Sequence, residues 1–197
     1  MSHWEAAGKT DEWYTPKYIF DALGCRFDLD VAASPGACHV PALYYERHDG
    51  LSAEWRGFVW MNPPFGGRNG IEPWLAKFVE HGNGVALTPD RTSAPWFQRW
   101  APYAWAMLFL PKVKFERRDG SVGKSPSTGT ALWAIGMDGY VAIRNARHLG
   151  VWMQPRFSPA NAIDETLARG LPAGGGTGTA RIGPRPGSAA AEPSEGA

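Results

Sequence analysis

Residues 59–67 read VWMNPPFGG, an apolar run that ends abruptly in asparagine, two prolines, an aromatic residue and two glycines. An apolar run bounded by turn residues is typical of a buried strand, and the prolines end it because they supply no backbone N–H groups. Proline also favours an extended conformation for the residue before it, here Asn62. We therefore expect a buried strand followed by a stiff loop that begins at Asn62.

Strand and helix patterns alternate on either side of this segment. Apolar runs predict strands over residues 27–33, 57–62, 84–89, 105–111 and 128–136, and helical spacing predicts helices over residues 17–23, 71–82 and 93–103. The first helix is expected to be N-capped at Thr15, with Pro16 in its first turn. This order predicts an α/β, abbreviated Rossmann-like fold with a mostly parallel central sheet flanked by helices.

Ligands of such sheets bind beyond the carboxyl ends of the strands. The chemistry is therefore expected just after the runs that end near Asp30, Met61, Leu87 and Leu110.

The composition predicts one globular domain with extended ends. The chain has 197 residues, of which 44% are hydrophobic, which is enough for one core. We expect a flexible N-terminus over residues 1–10, a folded domain over 11–169, and a disordered tail over 170–197, where Gly, Ala and Pro dominate. No apolar run approaches the about 18 residues that span a bilayer, so no membrane association is expected.

Cysteine and histidine usage indicates a reducing compartment and no metal. Cys25 and Cys38 lack metal-ligand spacing, and no signal peptide is visible, which predicts free thiols and a cytoplasmic location. His39 and His48 also lack ligand-like spacing with other donors, so zinc is not expected.

The net charge of +1 is unevenly distributed. Residues 1–60 carry five Lys and Arg against nine Asp and Glu, whereas residues 111–124 carry five against two. A phosphate-binding surface is therefore expected in the second half of the chain, within the loop 112–129. On charge alone, a solvated hairpin explains this cluster equally well.

The loop after the 57–62 strand can activate an amine. An amine on an aromatic ring is a poor nucleophile because its lone pair is delocalised into the ring. If the Asn62 amide oxygen and the Pro63 carbonyl accept its two N–H groups, the lone pair is freed as positive charge develops at nitrogen. Pro64 stiffens the loop, and Phe65 can stack on the ring. A plain Pro-Pro turn is the alternative.

Asn-Pro-Pro-aromatic at a strand end resembles motif IV of the amino-group methyltransferases. Five segments in order resemble the small phage-encoded Dam-type DNA N6-adenine methyltransferases over roughly residues 11–136, namely DEWYTPKYIFDAL (11–23), FDLDVAAS (27–34), YYERHDGLSAEW (44–55), VWMNPPFG (59–66) and TALWAIG (130–136). The resemblance implies a methyltransferase domain that uses S-adenosylmethionine and acts on double-stranded DNA. It also implies that the protein acts in the cytoplasm of a bacterial host, for example to protect phage DNA from restriction.

The resemblance assigns roles to individual residues. It implies that Asn62, Pro63, Pro64 and Phe65 are catalytic. It implies that the cofactor is bound by Tyr14, Thr15 and Pro16 at its methionine end, by Asp30 at its ammonium, by Ala32 and Ala33, and by Asp49 at its adenine or ribose. Asp28 matches the same cofactor segment, and a solvated strand residue is an equally good interpretation.

The turn after the first strand departs from methyltransferases in general. AASPGA, with Gly36 alone, replaces the usual Gly-rich turn. The short span from Ala33 to Asp49 leaves too few residues for a full crossover helix and another long strand. The cofactor half is therefore abbreviated, and Glu46 is a weak candidate for the ribose contact.

On the substrate side, the expected DNA-contacting residues are Arg91, Lys112, Lys114, Arg117, Arg118 and Lys124. Two other functions remain open. The same loop occurs in enzymes that methylate guanine in RNA or glutamine in proteins. The missing Gly-rich turn would also suit a non-catalytic DNA-binding descendant.

Overall fold

The computed structural model describes residues 14–34, 39–64, 70–117, 120–123 and 128–155. The N-terminal segment 1–10 and the tail 170–197, for which flexibility was predicted, lie outside these residues. In chain order, the elements are α1 (Lys17–Leu23), β1 (Phe27–Asp30), β2 (Ala42–Tyr45), β3 (Val59–Met61), α2 (Glu72–His81), β4 (Gly84–Pro89), α3 (Pro95–Trp100), a 3-10 turn (Ala101–Tyr103), β5 (Ala106–Leu110), β6 (Thr130–Ile135), α4 (Gly136–Asn145), a 3-10 turn (Ala146–Leu149) and β7 (Val151–Met153).

The seven strands among the described residues form one mixed sheet in the order β2-β1-β3-β4-β6-β5-β7. Strands β1 to β4 pair in parallel, whereas β6 is antiparallel to both β4 and β5, and β7 is antiparallel to β5. The α/β class is confirmed, but the prediction of a mostly parallel sheet is wrong. The described residues between β5 and β6 contain no helix, and a return without a crossover helix yields an antiparallel neighbour.

Helices cover both faces of the sheet. On one face, α1 and α4 pack against Trp60 and Leu108, and on the other, α2 and α3 pack against Met107 and Trp133. Every residue of β4 and β6 is buried, which explains their continuous apolar runs. Those runs indicate burial on both faces, and they carry no information on strand direction.

The local signals placed several elements correctly. Helix α1 occupies the predicted residues 17–23, and α2 ends at Gly82, whose φ of 80° lets its N–H bond the carbonyl of Phe78. Strand β4 also has its predicted bounds. Among the described residues, no helix is long and apolar enough to cross a membrane.

Candidate active site

The chain order of the parallel strands creates a crevice at one edge of the sheet. From β1 the chain passes to β2 on one side, and it then returns to β3 on the other side. The point where strand order reverses in this way is where open α/β sheets bind ligands, beyond the carboxyl ends of the strands. Asp30 ends β1, and Asn62 directly follows β3. Asp30 pairs with Trp60, so both polar residues emerge at this crevice.

Asn62 is half-buried at the end of β3 and held by a hydrogen bond. Its Nδ2 donates to Thr15 Oγ1 at 3.2 Å. Within the described part of the chain, its Oδ1 has no hydrogen-bond partner. Pro63 is buried and Pro64 is exposed, so the chain reaches the protein surface within two residues of Asn62. Phe65, the expected stacking ring, lies outside the described residues.

Thr15 differs from its predicted role as a helix cap. Pro16 occupies the N-cap position of α1, and no side chain caps that helix end. The Thr15 hydroxyl, on a residue that is 4% exposed, instead accepts the amide of Asn62. The segment expected to bind cofactor therefore contacts the segment expected to be catalytic.

Asp30 is a buried carboxyl at the end of β1. Only 3% of the residue is exposed, and its Oδ1 accepts the N–H of Ala32 at 3.2 Å. Burial raises the pKa of Asp30 to about 7, against the opposing effects of the Ala32 N–H and the Arg47 charge. A buried carboxyl of this kind gains most from a cationic partner.

The chain after β1 and the chain after β2 are joined at this edge. The N–H of Glu46 donates to the carbonyl of Asp30, and the N–H of Ala33 donates to the carbonyl of Glu46, both at 2.8 Å. Ala33 is buried and Ala32 half-buried. The Glu46 side chain accepts the N–H groups of His48 and Asp49, so it is turned towards its own loop.

Asp49 is exposed and accepts hydrogen bonds from Ser52. Its two oxygens take the N–H of Ser52 at 3.2 Å and the Ser52 hydroxyl at 2.7 Å. These bonds hold the pKa of Asp49 below its ordinary value. Gly50 beside it lies so close to the carbonyl of Val31 that an added Cβ would fall 1.9 Å away. Asp49 therefore stands beside the chain that follows Asp30.

Lys77 of α2 stabilises the loop that follows Asp49, a role that the sequence did not reveal. Its ammonium donates to the carbonyls of Gly50, Leu51 and Ala53. A lysine on an amphipathic helix is usually solvated, so the position of Lys77 in the helical pattern did not predict this contact.

Asp28 has a structural role. Its Oδ2 accepts the N–H of Phe58 at 2.7 Å, and Gly57 leaves the space that the carboxylate occupies. Asp28 is half-buried and held within the strand scaffold, so it is not the solvated strand residue of the alternative interpretation, and its cofactor role stays a prediction.

The basic segment contains the expected hairpin. Glu116 bridges to Val122, and the Arg117 N–H donates to the Ser121 carbonyl at 2.8 Å. Lys112 and Lys114 are exposed on either side of Val113, which is 1% exposed. Arg117 is exposed as well. Arg118 and Lys124 lie outside the described residues.

The position of Arg91 at the edge of the sheet and the contacts of Glu116 locate the expected DNA-contacting residues. Arg91 is exposed and follows the carboxyl end of β4, at the same edge of the sheet as Asn62. Glu116 pairs with Tyr14 through both backbone groups, and its carboxylate lies 2.7 Å from His39 Nε2. No sequence pattern indicated these Glu116 contacts, because they join distant segments.

No metal-binding arrangement of three or more His, Cys, Asp or Glu occurs among the residues that the structure describes.

The family model described as DNA N-6-adenine-methyltransferase (Dam) matches residues 3–129, more than half of the chain. The matched segment contains Thr15, Asp30, Asn62 and the basic hairpin. The search of curated proteins returned no match. The search of solved structures returned none either.

Proposed function

The chain belongs to the DNA N-6-adenine-methyltransferase (Dam) family, and on this premise we propose that it transfers a methyl group from S-adenosylmethionine to N6 of adenine in double-stranded DNA. The observation that carries the proposal is the juxtaposition of Asp30 and Asn62 at the crevice between β1 and β3. One supplies a buried carboxyl and the other an amide on a proline-stiffened loop.

The catalytic part of the proposal rests on Asn62 and Pro63. The Asn62 Oδ1 and the Pro63 carbonyl accept the two N–H groups of the adenine amine, so the nitrogen lone pair is directed at the methyl donor. These hydrogen bonds strengthen as nitrogen becomes positive, and they therefore stabilise the transition state more than the ground state. Pro64 keeps the loop rigid, and Phe65 stacks on the base.

The cofactor, when bound, supplies an electrophilic methyl group on a sulfonium. Asp30 suits its ammonium, because a carboxylate in so dry a position is stabilised by a bound cation. Tyr14, Pro16 and the backbone of Thr15 line the methionine end, and Ala32 and Ala33 leave room beside it. Asp49, with oxygens exposed beside Gly50, accepts the ribose hydroxyls or the adenine amine.

The substrate part of the proposal rests on charge. Lys112, Lys114 and Arg117 present positive charge on the hairpin that pairs with Tyr14, and Arg91 follows β4 at the same edge. These groups contact phosphates, together with Arg118 and Lys124. An adenine stacked in a duplex cannot reach a strand end, so the base flips out of the helix before transfer.

A comparison of three classes of acceptor tests this proposal. The protein is incubated with S-adenosylmethionine that carries a labelled methyl group and with unmethylated duplex DNA, RNA and protein in separate reactions. Label in DNA alone is expected. Label in RNA or protein would replace the acceptor, whereas label in none, with no cofactor binding by calorimetry, would leave a non-catalytic DNA-binding role.

A further inference from the structure

We propose that Thr15 is a positioning residue for the catalytic amide, because its hydroxyl holds the Nδ2 of Asn62 and so leaves the Oδ1 for the substrate amine. The inference rests on the proposed function. It also differs from the cofactor contact that the family resemblance implies for this residue, since it assigns the hydroxyl to Asn62.

The orientation of the Asn62 amide decides whether it activates or opposes the substrate. With Oδ1 towards the amine, the amide accepts an N–H of the substrate. If the amide were rotated by about 180°, Nδ2 would face that N–H, and two hydrogen-bond donors would point at each other. Nδ2 therefore needs an acceptor elsewhere, and Thr15 Oγ1 provides one at 3.2 Å.

Thr15 is well placed to hold its hydroxyl still. It is 4% exposed and lies between Tyr14 and Pro16, the residue that precedes α1. Tyr14 is fixed by two backbone hydrogen bonds to Glu116. The hydroxyl is not used to cap α1, which leaves it available to Asn62.

A pair of substitutions separates the hydroxyl from the shape of the side chain. Thr15→Val keeps the branched shape and removes the acceptor, whereas Thr15→Ser keeps the hydroxyl. We expect Thr15→Val to lower the single-turnover rate of methyl transfer at saturating cofactor and DNA by about tenfold or more, because Nδ2 loses its partner in the productive orientation. Thr15→Ser should recover most of the rate, and the dissociation constant for S-adenosylmethionine should change little in either variant.

Thr130→Val is the matched control. Thr130 is 2% exposed and begins β6 at the same edge, and its hydroxyl has no hydrogen-bond partner among the described residues. Its substitution should leave the transfer rate unchanged. If Thr130→Val and Thr15→Val slowed transfer equally, the effect would reflect packing at this edge, and the proposal would fail.

The Asn62→Asp background gives a second test. A carboxylate presents an oxygen whichever way it faces, so it does not need Thr15 to choose its orientation. Thr15→Val should therefore slow transfer much less in the Asn62→Asp background than in the native one. An equal loss in both backgrounds would mean that Thr15 only supports the fold. If Asn62→Asp removes all measurable transfer, the comparison of Thr15→Ser with Thr15→Val in the native background decides whether Thr15 is a positioning residue.

The remaining outcomes also decide. An unchanged rate in Thr15→Val, or an equal loss in Thr15→Val and Thr15→Ser, contradicts the positioning role. A weaker cofactor affinity in Thr15→Val, with an unchanged rate at saturating cofactor, would return Thr15 to the cofactor site. Failure of the proposed function is recognised separately, because the unmodified protein would then transfer no methyl group to DNA.

Discussion

Tyr14 and Glu116 exchange both of their backbone hydrogen bonds, at 2.8 Å and 3.0 Å. This pairing ties the hairpin that follows β5 to the segment before α1. The next residue, Thr15, contacts the Asn62 amide. Two consecutive residues, Tyr14 and Thr15, thus connect the basic hairpin with the loop that we propose to be catalytic, so the expected DNA surface lies beside the expected chemistry.

Asn62→Ala should lower the methyl-transfer rate by about a hundredfold or more, because the transition state loses a hydrogen-bond acceptor aimed at the reacting nitrogen. Cofactor affinity should be nearly unchanged, since the amide acts on the substrate. Single-turnover kinetics and calorimetry measure the two quantities. Asn83→Ala is the control: that side chain bonds Asp138 at the other edge of the sheet, and its loss should leave the rate unaffected. Loss of cofactor binding alone in Asn62→Ala would contradict the assigned role.

Lys112→Ala combined with Lys114→Ala should weaken DNA binding and flatten its salt dependence. For each phosphate that the variant no longer neutralises, the slope of log K against log salt should become shallower by about 0.9 for duplex DNA. Titrations at several salt concentrations measure this slope.

The matched control for this pair is Arg26→Ala combined with Arg56→Ala. It removes two exposed positive charges that precede β1 and β3, at the opposite edge of the sheet. Equal changes of slope in the two double variants would show that net charge, rather than the hairpin, governs DNA binding.

Cofactor binding should tighten as pH rises through about 7. The carboxyl of Asp30, with a pKa of about 7, must be ionised to bind an ammonium. Affinity should therefore increase by about tenfold between roughly pH 6 and pH 8, as expected for one group that titrates in this range. Calorimetry across that range measures it, and Asp30→Asn should bind weakly with little pH dependence. A native pH profile retained in Asp30→Asn would assign the titration to another group.

The same carboxyl should make the protein without cofactor less stable as pH rises. Its folded-state pKa of about 7 exceeds the ordinary value of 3.8, so the folded state holds this proton more tightly. The resulting stability is fully present below about pH 4 and is lost as pH approaches about 7. Denaturant unfolding at several pH values should show this decline in the native protein, and a smaller one in Asp30→Asn.

Asp28→Ala should lower the free energy of unfolding by about 1–3 kcal/mol, because the N–H of Phe58 would lose its partner. Cofactor affinity should stay near that of the native protein. Asp21→Ala provides the comparison, since that exposed carboxylate pairs with Lys17 one turn away and should contribute at most about 0.5 kcal/mol. A stable Asp28→Ala variant that fails to bind cofactor would restore the cofactor role to Asp28.

Local signals in the sequence predicted much of the fold. The prolines after Met61 and the left-handed Gly82 mark the ends of β3 and α2, and both depend only on nearby residues. Strand β7 was missed because it has only three residues at an edge, where one of its faces is exposed. Helix α4 was missed because its two glycines, Gly136 and Gly139, weaken a helical pattern.

The sequence identified candidate site residues, but it did not predict the contacts between them. Asn62 and Asp30 stood out because unusual residues followed apolar runs, and both emerge at one edge of the sheet. The contact of Thr15 with Asn62 is set by tertiary packing, and no local pattern encodes it. Sheet direction depended on how β5 returns to β6, which apolar runs do not specify. The phage origin implied by the resemblance stays a prediction.

The most direct test of the central claim identifies the methylated atom. Unmethylated duplex DNA is incubated with the protein and with S-adenosylmethionine labelled in its methyl group, then digested to nucleosides and analysed by mass spectrometry, with Asn62→Ala run in parallel. We predict labelled N6-methyldeoxyadenosine with the native protein and almost none with the variant. Label on another nucleoside, or no label on DNA from a protein that binds the cofactor, would contradict the proposed activity.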